Sequence, residues 1–261
     1  MQIREKTSLI TGGANGIGFL YAHELLRHDA KCVYIMDLDN GDGKEAVQKL
    51  EAEFGKGRAR FFPCDVTNSE HFTDNFQAVI DTCGQLDILI NNAGIMDDSR
   101  WDFMIDLNFK ALVRGSLLAM DHMGKHNGGN GGTIVNVSSI VGLTPTPFFS
   151  IYSGTKHAVV GFSLGLRGSY EKTGVRVLVM CPGITKTPLI TECSDKTLEF
   201  VQKEDLINGL EKSILQAPEK VASAMIDLIE MGENGAVWVA ECNEPPYAIE
   251  TPHYSAHRKP I

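Results

Sequence analysis

The chain has 261 residues, with 24 Lys and Arg against 33 Asp and Glu, a formal net charge of −9. That balance argues against nucleic acid and an anionic membrane surface as partners, because phosphate binding needs a surplus of Lys and Arg. Hydrophobic residues at 43% and charged residues at 22% exclude a disordered or fibrous class, and the length buries a sizeable core without disulfides. The N-terminal MQIREKTSLITGG has no apolar segment followed by a small-residue cleavage site, so no secretory signal is expected. No apolar run approaches the ~18 residues of a membrane span. Six scattered cysteines (Cys32, Cys64, Cys83, Cys181, Cys193, Cys242) form no Cys-x-x-Cys pair, which fits reduced thiols in the cytoplasm better than a disulfide framework or a zinc site.

In chain order, TSLIT (Thr7 to Thr11) reads as a strand, and a helical pattern begins near Ile17. CVYIM (Cys32 to Met36) is the second strand and Lys44 to Phe54 the next helix. RARFFPCDV carries a third strand and LDILINNAG a fourth. GTIVNVSS (Gly132 to Ser139), VRVLVMCPG (Val175 to Gly183) and AVWVA (Ala236 to Ala240) are the fifth to seventh. Their apolar runs are nearly continuous, which implies burial on both faces. Strand–helix repetition of this kind predicts an α/β, Rossmann-like doubly wound parallel sheet of about seven strands flanked by helices.

No linker divides residues 1–261, so a single domain is expected. HNGGNGG (His126 to Gly132) reads as a surface turn. Residues 186–216 interrupt the alternation and read as a substrate lid. Residues 243–261 hold Pro245, Pro246, Pro252 and Pro260 and read as an extended tail, lying on its own domain or on a partner subunit.

Between the first strand and its helix stands Thr11-Gly12-Gly13-Ala14-Asn15-Gly16-Ile17-Gly18. Glycines there allow a tight turn and let a pyrophosphate reach the backbone N–H groups of the helix start. Gly12, Asn15, Gly16, Ile17 and Gly18 are therefore candidate cofactor-binding residues. Asp37 ends the second strand. A carboxylate there accepts the ribose hydroxyls of NAD and repels a 2′-phosphate, so NAD is expected over NADP. Asp65 and Val66, after the third strand, are candidates for the adenine side.

Tyr152 and Lys156 stand four apart, on one face of a helix, and Ser139 closes the fifth strand at the carboxyl edge where open α/β sheets bind ligands. A phenol is a poor base near neutrality. A neighbouring ammonium and a positively charged nicotinamide would both favour the phenolate, and Tyr152 is then a usable general base.

With this set, the sequence resembles the short-chain dehydrogenase/reductase family. The glycine loop, Asn91-Asn92-Ala93-Gly94, Asn108, Ser139, Tyr152, Lys156 and Pro182-Gly183 stand in that family's order. The resemblance covers at least residues 6–188. Within the family, MGKHNGGNGGTIVNVSS, YSGTKHAVVGF and CPGITKT look like the hydroxyprostaglandin dehydrogenases. LINNAGIMDD, YSGTKHAVV and NGAVWV also look like the insect-type alcohol and photoreceptor dehydrogenases. The resemblance implies hydride transfer to or from a secondary alcohol or ketone. It implies that Tyr152 is the general acid/base, that Lys156 tunes it and binds the nicotinamide ribose, and that Ser139 holds the substrate oxygen. Asn108 would hold a relay water. Asn92, Ala93 and Gly94 would line the cofactor, and Pro182, Gly183, Ile184 and Thr187 would meet its carboxamide and phosphates. The family usually pairs through long helices, here about Trp101 to Lys125 and Ser153 to Glu171, so a homodimer or homotetramer is expected.

Met96, Phe148 and Phe149 fall on loops beside the site, positions that suit either an apolar alcohol pocket or ordinary core packing. Lys186, Lys196 and Lys203 are available in the lid as anchors for an acidic substrate. Gly161-Phe162-Ser163-Leu164-Gly165 matches the hydrolase pattern G-x-S-x-G, but it follows Lys156 in the same helix, not a strand-to-helix elbow, so Ser163 reads as structural. Eight histidines show no ligand spacing, so no metal is expected; His157 reads as packed or solvated, and His253 and His257 as part of a solvated tail. Two other functions stay open: an NADPH-dependent carbonyl reductase, and a binding module that keeps the fold without catalysis.

Overall fold

The structure is a computed structural model that describes residues 1–251 and 254–257. Its centre is an eight-stranded sheet. The strands are β1 (Thr7–Thr11), β2 (Cys32–Asp37), β3 (Ala59–Pro63), β4 (Ile88–Asn91), β5 (Gly132–Val137), β6 (Val175–Pro182), β7 (Val237–Ala240) and β8 (Tyr247–Ile249). Their spatial order is β3-β2-β1-β4-β5-β6-β7-β8. All neighbours are parallel except β7 and β8, which are antiparallel. The predicted parallel sheet is therefore present with one more strand than the seven expected. β8 arises from the stretch read as an extended tail; part of that tail lies on its own sheet edge, with Ile249 opposite Val237. The short β8 has no apolar run, which is why periodicity missed it. Pro252, His253 and Pro260 lie outside the described residues.

Helices cover both faces. They are α1 (Gly16–Arg27), α2 (Asp42–Phe54), α3 (Ser69–Cys83), α4 (Trp101–Ile105), α5 (Leu112–Met123), α6 (Ser150–Leu166), α7 (Tyr170–Thr173), α8 (Pro188–Thr191), α9 (Lys203–Glu211) and α10 (Pro218–Met231). One core layer packs α1 and α10 on the sheet through Leu25, Ile35, Met180 and Ile229. The other packs α3 and α5 through Phe72, Phe76, Leu89 and Met120. The strands explain this: β1, β4 and β5 are buried almost throughout, so each sends side chains into both layers.

The long helix expected from Trp101 to Lys125 is present but not uniform. A π-helical turn over Asp106–Ala111 joins α4 to α5. Such turns insert a residue into the ladder and recur at functional sites, and this one carries Asn108. The helix expected over Ser153 to Glu171 begins earlier and ends at Leu166, where a 3-10 turn leads into α7.

The chain starts in the middle of the sheet. From β1 it winds outward to β2 and β3, then returns to β4 on the other side of β1. The order reverses between β1 and β4, and a crevice opens at their carboxyl ends, the place where open α/β sheets hold ligands.

Candidate active site

Thr11 at the end of β1 lies opposite Asn91 at the end of β4. The Thr11 hydroxyl accepts from the backbone N–H groups of Asn92 and Ala93 at 3.1 and 3.2 Å. The Asn92 amide donates back to the carbonyls of Thr11 and Gly12 at 3.1 and 2.8 Å. These bonds hold the glycine loop against the NNAG segment. Gly12 sits at φ +66°, and a Cβ there would lie 2.8 Å from Ala93 Cα. A Cβ on Gly18 would lie 2.1 Å from the Gly12 carbonyl. Both positions thus need glycine for close approach of backbone to backbone.

A cavity of about 430 Å³ runs along this crevice. Gly12, Asn15, Gly16, Ile17, Gly18, Asp37, Asp65, Val66, Asn92, Ala93, Gly94 and Thr187 line it. Asp37 accepts from the Ala14 N–H at 3.0 Å through one oxygen and from the Leu38 N–H at 2.8 Å through the other. This fixes the carboxylate at the crevice rim. Asp65 is held by the N–H and hydroxyl of Thr67 at 2.9 and 2.7 Å.

A second cavity, also of about 430 Å³, adjoins the first and shares Ile17, Asn92, Gly94, Thr187 and Leu189 with it. It brings together Ser139, Tyr152 and Lys156 with Pro182, Gly183 and Ile184. Met96, Phe148 and Phe149 line it too; Met96 and Phe149 also pack with Tyr152 in one apolar cluster. Wall and core are thus the same residues here. Lys186, Lys196 and Lys203 are not among the lining residues.

The Lys156 amine donates to the Val137 carbonyl at 3.0 Å and lies 5.6 Å from the centre of the Tyr152 ring. Burial pulls this amine down to about 8, against a weaker opposing contribution from Cys181. Burial pushes the Tyr152 phenol up, well above its ordinary value; a hydrogen bond with Ser139 opposes this and Cys181 adds to it. The expectation that Lys156 lowers the phenol therefore does not describe the protein by itself. Both groups are fully enclosed, and loss of water disfavours the charged form of each.

Asn108 is wholly buried on the π turn. Its carbonyl oxygen accepts from the Ile95 N–H at 2.9 Å, and its amide donates to the Ile95 carbonyl at 2.8 Å and the Thr155 hydroxyl at 3.3 Å. It thereby fastens the loop after NNAG to the helix of Tyr152. A Cβ on Gly94 would lie 3.0 Å from this side chain and 3.7 Å from the Lys156 amine.

Two residues that sequence reasoning missed hold the site's frame. Asp98 is completely buried, and its two carboxylate oxygens accept from the N–H groups of Ile151 and Tyr152, each at 2.9 Å. The N-cap of α6, Phe149, offers no side-chain cap, so a carboxylate from a distant segment satisfies that helix start. Gln216, also buried, donates to the Thr185 hydroxyl at 3.1 Å and the Ala240 carbonyl at 2.6 Å. The bridge Thr185–Gln216 ties the two ends of the segment 186–216 together. Neither residue sits at a motif spacing, so no local signal marks them.

The discounted motifs stay outside the chemistry. Ser163 donates to the Val159 carbonyl at 2.7 Å and accepts from the Asn136 amide at 2.9 Å, inside α6. The exposed His157 bonds the Ser153 carbonyl at 2.8 Å. Among the described residues, no group of His, Cys, Asp and Glu gathers in a way that could hold a metal ion, all six cysteines are free, and no helix is long and apolar enough to cross a membrane.

Comparison with known proteins bears on this geometry. Residues 6–198 match a family model described as short chain dehydrogenase. The chain is 36% identical over 244 residues to 15-hydroxyprostaglandin dehydrogenase [NAD(+)] of Rattus norvegicus, covering 91% of each chain. It is 32% identical over 242 residues to Alcohol dehydrogenase 1 of Ceratitis cosyra, covering 92% of this chain and 93% of the relative. The crystal structure of levodione reductase superposes with a TM-score of 0.80 at 19% identity, over 92% of this chain and 97% of that one; it speaks for the fold.

Proposed function

The chain belongs to the short-chain dehydrogenase family, and on that premise we propose that this oxidoreductase uses NAD to oxidise apolar secondary alcohols. The observation that carries the reading is the meeting of Ser139, Tyr152 and Lys156 in one apolar cavity that adjoins the glycine-loop crevice. The crevice fits a dinucleotide. Close-packed glycines let a pyrophosphate approach the start of α1, and Asp37 at the rim suits ribose hydroxyls and opposes a 2′-phosphate. Gly12, Asn15, Gly16, Ile17, Gly18, Asp37, Asp65 and Val66 would hold the adenosine and pyrophosphate side. Asn92, Ala93, Gly94, Pro182, Gly183, Ile184 and Thr187 would hold the nicotinamide side.

When bound, NAD supplies a hydride acceptor whose positive ring favours a neighbouring phenolate. The chain's residues orient the alcohol and handle its proton. Ser139 holds the alcohol oxygen beside Tyr152, and Tyr152 takes the hydroxyl proton as the carbinol hydrogen leaves. Lys156 contributes positive charge under the phenol when protonated. Asn108 keeps Ile95 and Thr155 in register and would hold the relay water beside Lys156. Burial pushes the phenol up in the protein alone, so positive charge from the bound nicotinamide and from Lys156 works in the direction that alcohol oxidation needs.

In this reading residues 186–216 form the substrate lid of a single catalytic domain. Their inner face supplies Leu189, Ile190, Cys193, Leu206 and Leu210 to the apolar cluster around Tyr152. A homodimer or homotetramer through α4, α5 and α6 is supported by exposed Trp101 and Leu117; sedimentation equilibrium giving a monomer would refute it. Free cysteines support a reducing, cytoplasmic setting.

The test is absorbance at the NADH band with a panel of secondary alcohols, using wild type and Tyr152→Phe. Wild type turns over, and the variant loses roughly 10²–10⁴-fold in rate while its NAD affinity stays near that of wild type. Turnover by the variant close to wild type removes Tyr152 from the role. NAD binding without turnover by wild type favours a binding module.

A further inference from the structure

The cavity beside Tyr152 has a charge character that proton handling alone does not require. Among the described residues lining it, Lys156 is the one charged side chain, and its amine is engaged with the Val137 carbonyl. Met96, Phe148, Phe149, Leu206 and Leu210 form an apolar part of its wall. Residues 186–216, which supply Leu206 and Leu210 to this wall, carry six carboxylates against four lysines. Two of those lysines are already paired, Lys203 with Asp195 at 2.6 Å and Lys196 with Glu192 at 3.9 Å. The whole chain is acidic at −9, so its long-range field also turns anions away.

A carboxylate leaves water readily only where a cation or several N–H donors receive it. This wall offers neither. We propose that the part of the substrate entering the cavity is uncharged: an aliphatic or aromatic secondary alcohol with no carboxylate along its enclosed length. A hydroxy acid is accepted only if its chain is long enough to leave the carboxylate in water beyond the lid. The proposal rests on the alcohol-dehydrogenase reading above and narrows its substrate class, setting hydroxy acids with a short spacer apart from neutral lipids and alcohols.

The experiment uses the full chain with NAD and three medium-chain secondary alcohols that differ only at the far end: a methyl group, a methyl ester and a carboxylate. The methyl and ester compounds should give similar kcat/KM. The carboxylate should fall below them on the order of 100-fold, chiefly through KM, since an unpaired buried charge is the cost. Binding of the same compounds, read by calorimetry, should follow the same order. Ser213→Arg places a cation on the cavity wall just after α9 and should narrow the gap between acid and ester by roughly tenfold. An acid used as well as its ester overturns the proposal, as does a gap that Ser213→Arg leaves unchanged. No turnover of any of the three would instead overturn the reading of the site itself.

Discussion

Replacing Asp98 tests whether the helix that carries Tyr152 is set by a remote carboxylate. Asp98 is fully buried and accepts from Ile151 and Tyr152 at 2.9 Å each. A hydrogen bond to a charged group contributes about 1.5–3 kcal/mol, and both N–H groups have no alternative cap on their own helix. Asp98→Ala should therefore destabilise the chain by about 3–6 kcal/mol. Asp98→Asn keeps one acceptor oxygen but turns an NH₂ group toward the second N–H, so roughly half that loss, about 1.5–3 kcal/mol, is expected. Urea titration followed by circular dichroism reads both as shifts of the midpoint at constant slope. A loss under about 0.5 kcal/mol for alanine, the range of ordinary surface changes, would refute the capping role. So would equal losses for alanine and asparagine.

Other outcomes follow from the same geometry. Burial lowers the Lys156 amine from 10.5 to about 8, so between those values the unfolded chain binds more protons and this group's contribution to stability rises with pH. Lys156→Met should hold its largest advantage in Tm below about pH 8 and lose it toward pH 10; a pH-independent difference in thermal scans counts against the enclosed amine. Tyr152 has the opposite sign: its raised phenol costs stability above about pH 10, and Tyr152→Phe should flatten that decline. Gly18→Ala would push a methyl to within 2.1 Å of the Gly12 carbonyl. It should cost about 1–3 kcal/mol and abolish saturable NAD binding in fluorescence titrations; normal binding would remove the glycine loop from the cofactor site. Asp37→Ser should raise the NADP-to-NAD ratio of kcat/KM on the order of 100-fold, because a like charge facing the 2′-phosphate is removed. An unchanged ratio in paired kinetics would contradict that role for Asp37.

The sequence by itself determined the alternation of the fold and its chemical endowment. Continuous apolar runs such as Ile88 to Ile90 and Val177 to Met180 can only be satisfied between two helical layers, and Gly12 to Gly18 must turn tightly because of where they stand after a strand. Tyr152 and Lys156 share a helix face by spacing alone. Only the tertiary structure decided what surrounds these groups. Asp98 reaches α6 from 52 positions upstream of Ser150, Gln216 closes the lid base across the sheet edge, and β8 forms because β7 offers an open edge to a stretch with no strand pattern of its own. The protonation of Tyr152 was decided there as well. Spacing brings an amine near a phenol, but enclosure sets the cost of charging either, and enclosure is made by residues far apart in the chain.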